Sequence, residues 1–163
     1  MLNRLQDVFK SFQQHDVKYL VIGGIASILH GVPRATFDLD ILIEATPANA
    51  LRLLDALLDA DFGTASLTNV EDLLANEITI FKDKVRIDVQ TSTPGIKFED
   101  AWSRKETMEY QGQHFHVVSK KTLFPQSEQP PERSTWRMFA FSNFPRTKTT
   151  PNKHLKRTRK RAA

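Results

Sequence analysis

Over the first fifteen residues apolar side chains recur at three- and four-residue spacing. Leu2, Leu5, Val8, Phe9 and Phe12 fall on one helical face, which predicts an amphipathic helix over 2–15. The period then changes. VKYLVIGG reads as a buried strand running into a double glycine, and IASILHG as a short helix stopped at Gly31. Phe37, Leu39, Ile41, Leu42 and Ile43 are apolar and β-prone, predicting a strand over 37–43. TPANALRLLDALLDADFG reads as a helix with Thr46 as N-cap, Pro47 at the first helical position, leucines on one stripe and Gly63 just past the end. EITIF and VRIDVQTS predict a hairpin around KDK. FEDAWSRKE suits a short helix, and MEYQGQHFHVVS a second hairpin or bent strand turning near Gly112. Through Ser119 the pattern is mixed α and β, with no internal repeat.

The strand over 37–43 carries an anomaly. Asp38 and Asp40 are separated by one residue, so both project from the same face while Leu39 and Ile41 point the other way. Two carboxylates about 7 Å apart along a strand repel each other unless positive charge lies between them. Hard divalent ions such as magnesium take carboxylate oxygens. The alternative is a strand end where both aspartates face water.

Composition narrows the choices. A chain of 163 residues suffices for one domain with a real core. It has no cysteine, which removes disulfides, thiolate metal sites and cysteine nucleophiles. No apolar run approaches the roughly 20 residues that span a bilayer, and the first residues lack a signal-peptide core, which predicts a soluble, cytoplasmic protein. Charge is divided unevenly. Residues 1–123 hold 13 Lys and Arg against 17 Asp and Glu, a net −4; residues 124–163 hold 10 against 2, a net +8. The basic character therefore belongs to the end of the chain and does not mark the rest as a nucleic-acid binder.

A third carboxylate completes the candidate chemistry. In VRIDVQ, Asp88 shares a strand face with Arg86 and Gln90, while Val85, Ile87 and Val89 form the other. Placed beside Asp38 and Asp40, Asp88 would complete a two-metal site, with ions about 3.5–4 Å apart serving the attacking and leaving oxygens of a phosphoryl displacement. Alone, it reads as a surface residue. Gly23 and Gly24 sit where a buried strand feeds a helix, a place where bare backbone can approach a phosphate.

In order, VIGG (21–24), DLDI (38–41) and RIDV (86–89) resemble the motif set of the nucleotidyltransferase superfamily built on the DNA polymerase β-like palm. Gly23, Gly24, Ala26, His30, Gly31, Arg34, Thr36, Asp38, Leu39 and Asp40 match small bacterial and archaeal members related to AbiEii-type toxins of toxin–antitoxin systems. The resemblance covers about residues 17–119. It implies an α+β fold of the polymerase β-like type, a mixed sheet flanked by helices, over a domain at 1–123. It also implies a metal-dependent transfer of a nucleoside monophosphate from an NTP to an acceptor: RNA such as tRNA, a partner protein or a small molecule. Asp38, Asp40 and Asp88 would ligate magnesium in a two-metal site and form the catalytic centre. Gly23, Gly24, Arg34 and Thr36 would bind the nucleotide. Gly24 stands where many active members carry a phosphate-contacting serine. The competing reading is a catalytically inactive nucleotide- or partner-binding module that retains the fold. His30 reads as packed or capping, and His114 and His116 as a solvent face rather than a metal pair.

After Leu123 the periodicity ends. Residues 124–163 contain five of the eight prolines and no regular apolar spacing, which predicts a basic, disordered tail with weak, nonspecific attraction for nucleic acid. Relatives of this kind often continue into a helix of the form KRAAGR-x-DLEDV-x-LLE. One permitted set of codons for residues 126–143, read from the third base, encodes KRAAAGTLHLEDVRLLE. That resembles the helix and points to a frameshift as the origin of the tail; the alternative is a genuine, lineage-specific basic tail.

Overall fold

The leucine stripe and capping residues forecast for the central helix form as the sequence dictates. Helix α3 (Pro47–Asp59) starts at Thr46, whose hydroxyl accepts the Asn49 amide, with proline at the first position. It ends differently from the expectation. Asp61 adopts φ 63 and turns the chain, whereas Gly63 opens a short 3₁₀ turn over Gly63–Leu67. Aspartate tolerates the left-handed region well enough to replace glycine here.

The computed structural model describes residues 2–125. Its elements follow in the order α1 (Leu2–Gln14), β1 (Tyr19–Ile22), α2 (Gly23–Leu29), β2 (Leu39–Ile43), α3, the 3₁₀ turn, α4 (Val70–Ala75), β3 (Ile78–Lys82), β4 (Arg86–Gln90), α5 (Phe98–Ser103), β5 (Glu106–Tyr110), β6 (Gln113–Val117) and α6 (Lys120–Leu123). The fold is α+β, a six-stranded mixed sheet flanked by helices, with strand order β3-β4-β2-β1-β6-β5. β1 runs antiparallel to β2, and β2 runs parallel to β4, with Asp40 beside Asp88. β3 pairs antiparallel with β4, so Ile80 lies opposite Asp88 and Lys82 opposite Arg86. Among the described residues no helix is long and apolar enough to cross a membrane. The tail and the frameshift expected beyond residue 125 lie outside the described residues.

One sheet face carries the core. Leu39, Ile41, Ile43, Ile87, Val89, Phe81 and Phe115 are buried there with the apolar sides of α1 and α3. Phe9 stacks on Phe115 at 4.7 Å between centroids, and Phe12 meets Tyr19 edge-on at 4.9 Å. Ser11 donates to the Ala56 carbonyl at 2.7 Å, joining α1 to α3. Asn49 is fully buried and satisfied at both ends. It accepts from the Lys18 amide at 2.8 Å and donates to the carbonyls of Lys18 and Glu44 at 2.9 and 3.0 Å. These bonds fix α3 against the chain entering β1 and leaving β2, and a buried amide without them would be costly.

The first strand to bear aspartates starts later than the pattern suggested. Pairing begins at Leu39, not Phe37, because β1 ends at Ile22 opposite Asp40 and β4 first meets β2 at Ile87 opposite Leu39. Phe37 is 82% exposed, and Asp38 lies one residue before the strand. Helix α4 was not foreseen; its marker is Asn69, whose side chain caps the Asp72 amide at 2.8 Å.

Candidate functional site

Strand β1 delivers Gly23 to the sheet face opposite the core. Gly23 has φ +63, and a Cβ built there would run into the Asp40 carboxylate. The glycine is required twice over, for its left-handed backbone and for the close approach of Asp40. The amide of Gly24 donates to the Asp40 carboxylate. So the anion met by the first turn of α2 is the chain's own side chain. Gly24 is confined by a second neighbour: a Cβ there would lie 2.8 to 2.9 Å from Cβ, Cγ2 and Oγ1 of Thr36. A serine at this position is therefore excluded in the present packing, and the Thr36 hydroxyl fills the space beside it.

Register assembles the carboxylates. Partners in a parallel pair share a face, so Asp88 projects beside Asp40, and Ile80 continues the row on β3. The row across four strands reads Ile22, Asp40, Asp88, Ile80. Asp38, two residues before Asp40, stands at the end of the same face and is half exposed. Asp88 is not the surface residue it reads as in isolation: its side chain is only 15% exposed.

Arg86 supplies the counter-charge. Its Nε donates to Asp88 Oδ1 at 2.7 Å and Nη2 to Oδ2 at 2.9 Å, a two-pronged pair, and Nε lies 3.8 Å from Asp38 Oδ2. The hydrogen bond to Asp88, then its charge, holds the guanidinium more firmly protonated than usual. Burial first and the Asp88 charge second push the Asp40 carboxyl above the ordinary carboxylate range; the Gly24 amide and Arg86 oppose the shift, and Asp38 adds to it. One guanidinium, in contact with two of the three carboxylates, is the only ion-pair partner the three have among the described residues, which leaves the cluster short of positive charge.

An all-oxygen, trianionic set suits a hard divalent ion in chemistry and in register. It is not assembled as a cage: among the described residues no three His, Asp or Glu side chains are grouped to hold a metal as they stand. Both Asp88 oxygens are engaged by Arg86. Asp38, Asp40 and Asp88 are the residues that could hold the ion.

The remaining residues of interest fall in several places. Thr36 borders the first turn of α2 through Gly24, whereas Arg34 is exposed and forms no ion pair or hydrogen bond among the described residues. His30 is structural: its Nε2 contacts the Val118 carbonyl at 2.7 Å, tying the end of α2 to the chain beyond β6. His116 packs edge-on to Trp102 at 5.1 Å and bonds Thr107 at 3.1 Å; burial pushes its imidazole below the usual value. His114 lies 3.5 Å from Glu109 on the exposed hairpin.

Three features escaped the sequence reading. The hold of Arg86 on Asp88 was signalled by its position two residues earlier on the same strand. The interlock of Gly24 with Thr36 had no signal, since it joins two segments by packing. The third is that Ile78 and Ile80 stand 53% and 52% exposed on β3. Their alternation with Phe81 marks a strand, but not that its outer face stays uncovered.

No family model, no curated protein and no solved structure matches this chain.

Proposed function

We propose that the chain is a magnesium-dependent nucleotidyltransferase of the polymerase β-like fold, transferring a nucleoside monophosphate from an NTP to a hydroxyl acceptor. The observation that carries this reading is the register of Asp40 with Asp88 on parallel strands, with Asp38 beside them and the Gly23–Gly24 turn against Asp40. In the transfer, an acceptor hydroxyl releases its proton to solvent, its oxygen bonds to the α-phosphorus, the bond to the bridging oxygen breaks, and pyrophosphate leaves with that electron pair. Asp38, Asp40 and Asp88 would hold the magnesium, which when bound would supply positive charge to acidify the hydroxyl and steady the leaving oxygens. Asp88, at the centre of the row, helps to activate the acceptor. The resemblance gives Gly23 and Gly24 to the triphosphate, with Asp40 and Thr36 packed against them; the Thr36 hydroxyl stands in for the serine absent at 24, and Arg34 is free to meet a phosphate. The acceptor is RNA such as tRNA, a protein or a small molecule, in the setting of a toxin–antitoxin pair within the cytoplasm.

A second reading has its own observation. Arg86 occupies both oxygens of Asp88, and a module that kept the fold without transfer would have that arrangement permanently. The two part in one experiment: incubation with each labelled NTP and magnesium, scoring label on RNA and protein acceptors, with Asp40→Asn as control. Label transferred by the parent and lost in the variant supports the enzyme; nucleotide bound but never transferred supports the module.

A further inference from the structure

Arg86 and a divalent ion need the same oxygens. A carboxylate in a two-pronged pair with guanidinium has both oxygens directed at N–H groups, at 2.7 and 2.9 Å here. A metal ligand must turn at least one oxygen elsewhere. Arg86 also reaches to 3.8 Å from Asp38, so its single charge spans two of the three carboxylates. Its side chain is 39% exposed and stands on β4 opposite Lys82 of the edge strand, so solvent reaches it. The partner of Asp40, by contrast, is a backbone amide in the first turn of α2.

We infer that Arg86 is an exchangeable counter-ion, a positioning residue that holds Asp88 off the metal in the resting protein and must release it for the ion to bind. This rests on the metal-site reading above and goes beyond it by naming an internal competitor. The released guanidinium then faces the open side of the carboxylate row, where an anionic phosphate of the substrate is the natural replacement for Asp88.

The test is manganese binding to the full chain, followed by titration calorimetry and by the loss of the free-ion electron paramagnetic resonance signal. Arg86→Gln should bind manganese about tenfold more tightly than the parent, a change within the range of a lost ion-pair competitor. Arg86→Lys, which keeps the charge but cannot form the paired contact, should fall between them. In an Asp88→Asn background the Arg86→Gln advantage should vanish, because no carboxylate remains to be freed. The metal-free Arg86→Gln protein should melt below the parent, and manganese should raise its melting temperature by more. Equal affinity in parent and Arg86→Gln would overturn the exchange while leaving the metal site intact. Weaker binding in Arg86→Gln would overturn it too, by showing that the arginine organises the site. No binding by either protein at millimolar manganese would remove the metal-site reading itself, and the exchange with it.

Discussion

Gly23→Ala measures how far the fold depends on the close approach of β1 to Asp40. At φ +63 an L side chain costs about 1–2 kcal/mol. The new methyl also meets the Asp40 side chain, with an ideal Cβ only 2.8 Å from Cγ and 3.0 Å from Cβ. Relief requires moving a residue whose strand is paired on both sides, and overpacking of that kind costs about 1–3 kcal/mol. Reduced freedom of the unfolded chain returns about 0.4–1 kcal/mol. The net loss is about 1–4.5 kcal/mol, or roughly 4–18 °C in melting temperature at about 4 °C per kcal/mol. Gly112→Ala is the control, because Gly112 has φ +79 but nothing within 4 Å of its added Cβ, so it bears the backbone cost alone. Both variants are to be melted in metal-free buffer by circular dichroism and unfolded in urea. Equal losses at the two positions would show that the contact with Asp40 carries no energy, and the account of the Gly23 turn would fail.

Asp40→Asn should stabilise the metal-free protein near neutral pH. A carboxyl raised above its ordinary value contributes stability that is full below the unfolded-state value and is lost as pH rises through the folded one. The gap between variant and parent in urea should therefore close on acidification below pH 3.8, the ordinary aspartate value; a gap that widens there refutes the assignment. Gly24→Ser should cost about 1–3 kcal/mol by collision with Thr36, and Thr36→Gly in the same chain should recover most of it. A Gly24→Ser protein as stable as the parent would mean that the two positions do not interlock. Replacing Ile78 and Ile80 by threonine should leave stability within about 0.5 kcal/mol and reduce self-association in sedimentation, since both lie half exposed on an edge strand. Unchanged association would show that the β3 face is not where copies meet.

The fold was legible where periodicity and caps agreed. Helices α1 and α3 and both hairpins stand close to their expected places, because apolar spacing decides which face is buried before any tertiary contact is known. The misplaced ends have local causes of another kind. β2 starts at Leu39 because its pairing with β4 begins there and its pairing with β1 at Asp40, and α3 is turned at Asp61 rather than Gly63 because a short polar side chain can take the left-handed turn. Neither is visible in a window of the sequence. At the candidate site, the spacing of Asp38 and Asp40 fixed their common face, yet which strand would lie beside them was a question of sheet order. The placement of β4 next to β2, across the intervening α3, 3₁₀ turn, α4 and β3, is a long-range outcome that alternation alone does not specify.

The position of the carboxylates in the sheet explains why their partners differ. On their face α2 lies over β1 and β2, while β3 and β4 are left open beside Ile78 and Ile80. Asp40 belongs to the covered half and Asp88 to the boundary. Beside α2, Asp40 takes its hydrogen bond from a backbone amide in the first turn of the helix. At the boundary the donor is the flexible side chain of Arg86. A backbone amide cannot leave without unwinding a helix, whereas a guanidinium at the open edge can leave by rotating its own bonds. Any ion or phosphate that reaches the row from the open side therefore meets Asp88 and Arg86 as its adjustable half, with Asp40 as the rigid half against which they move.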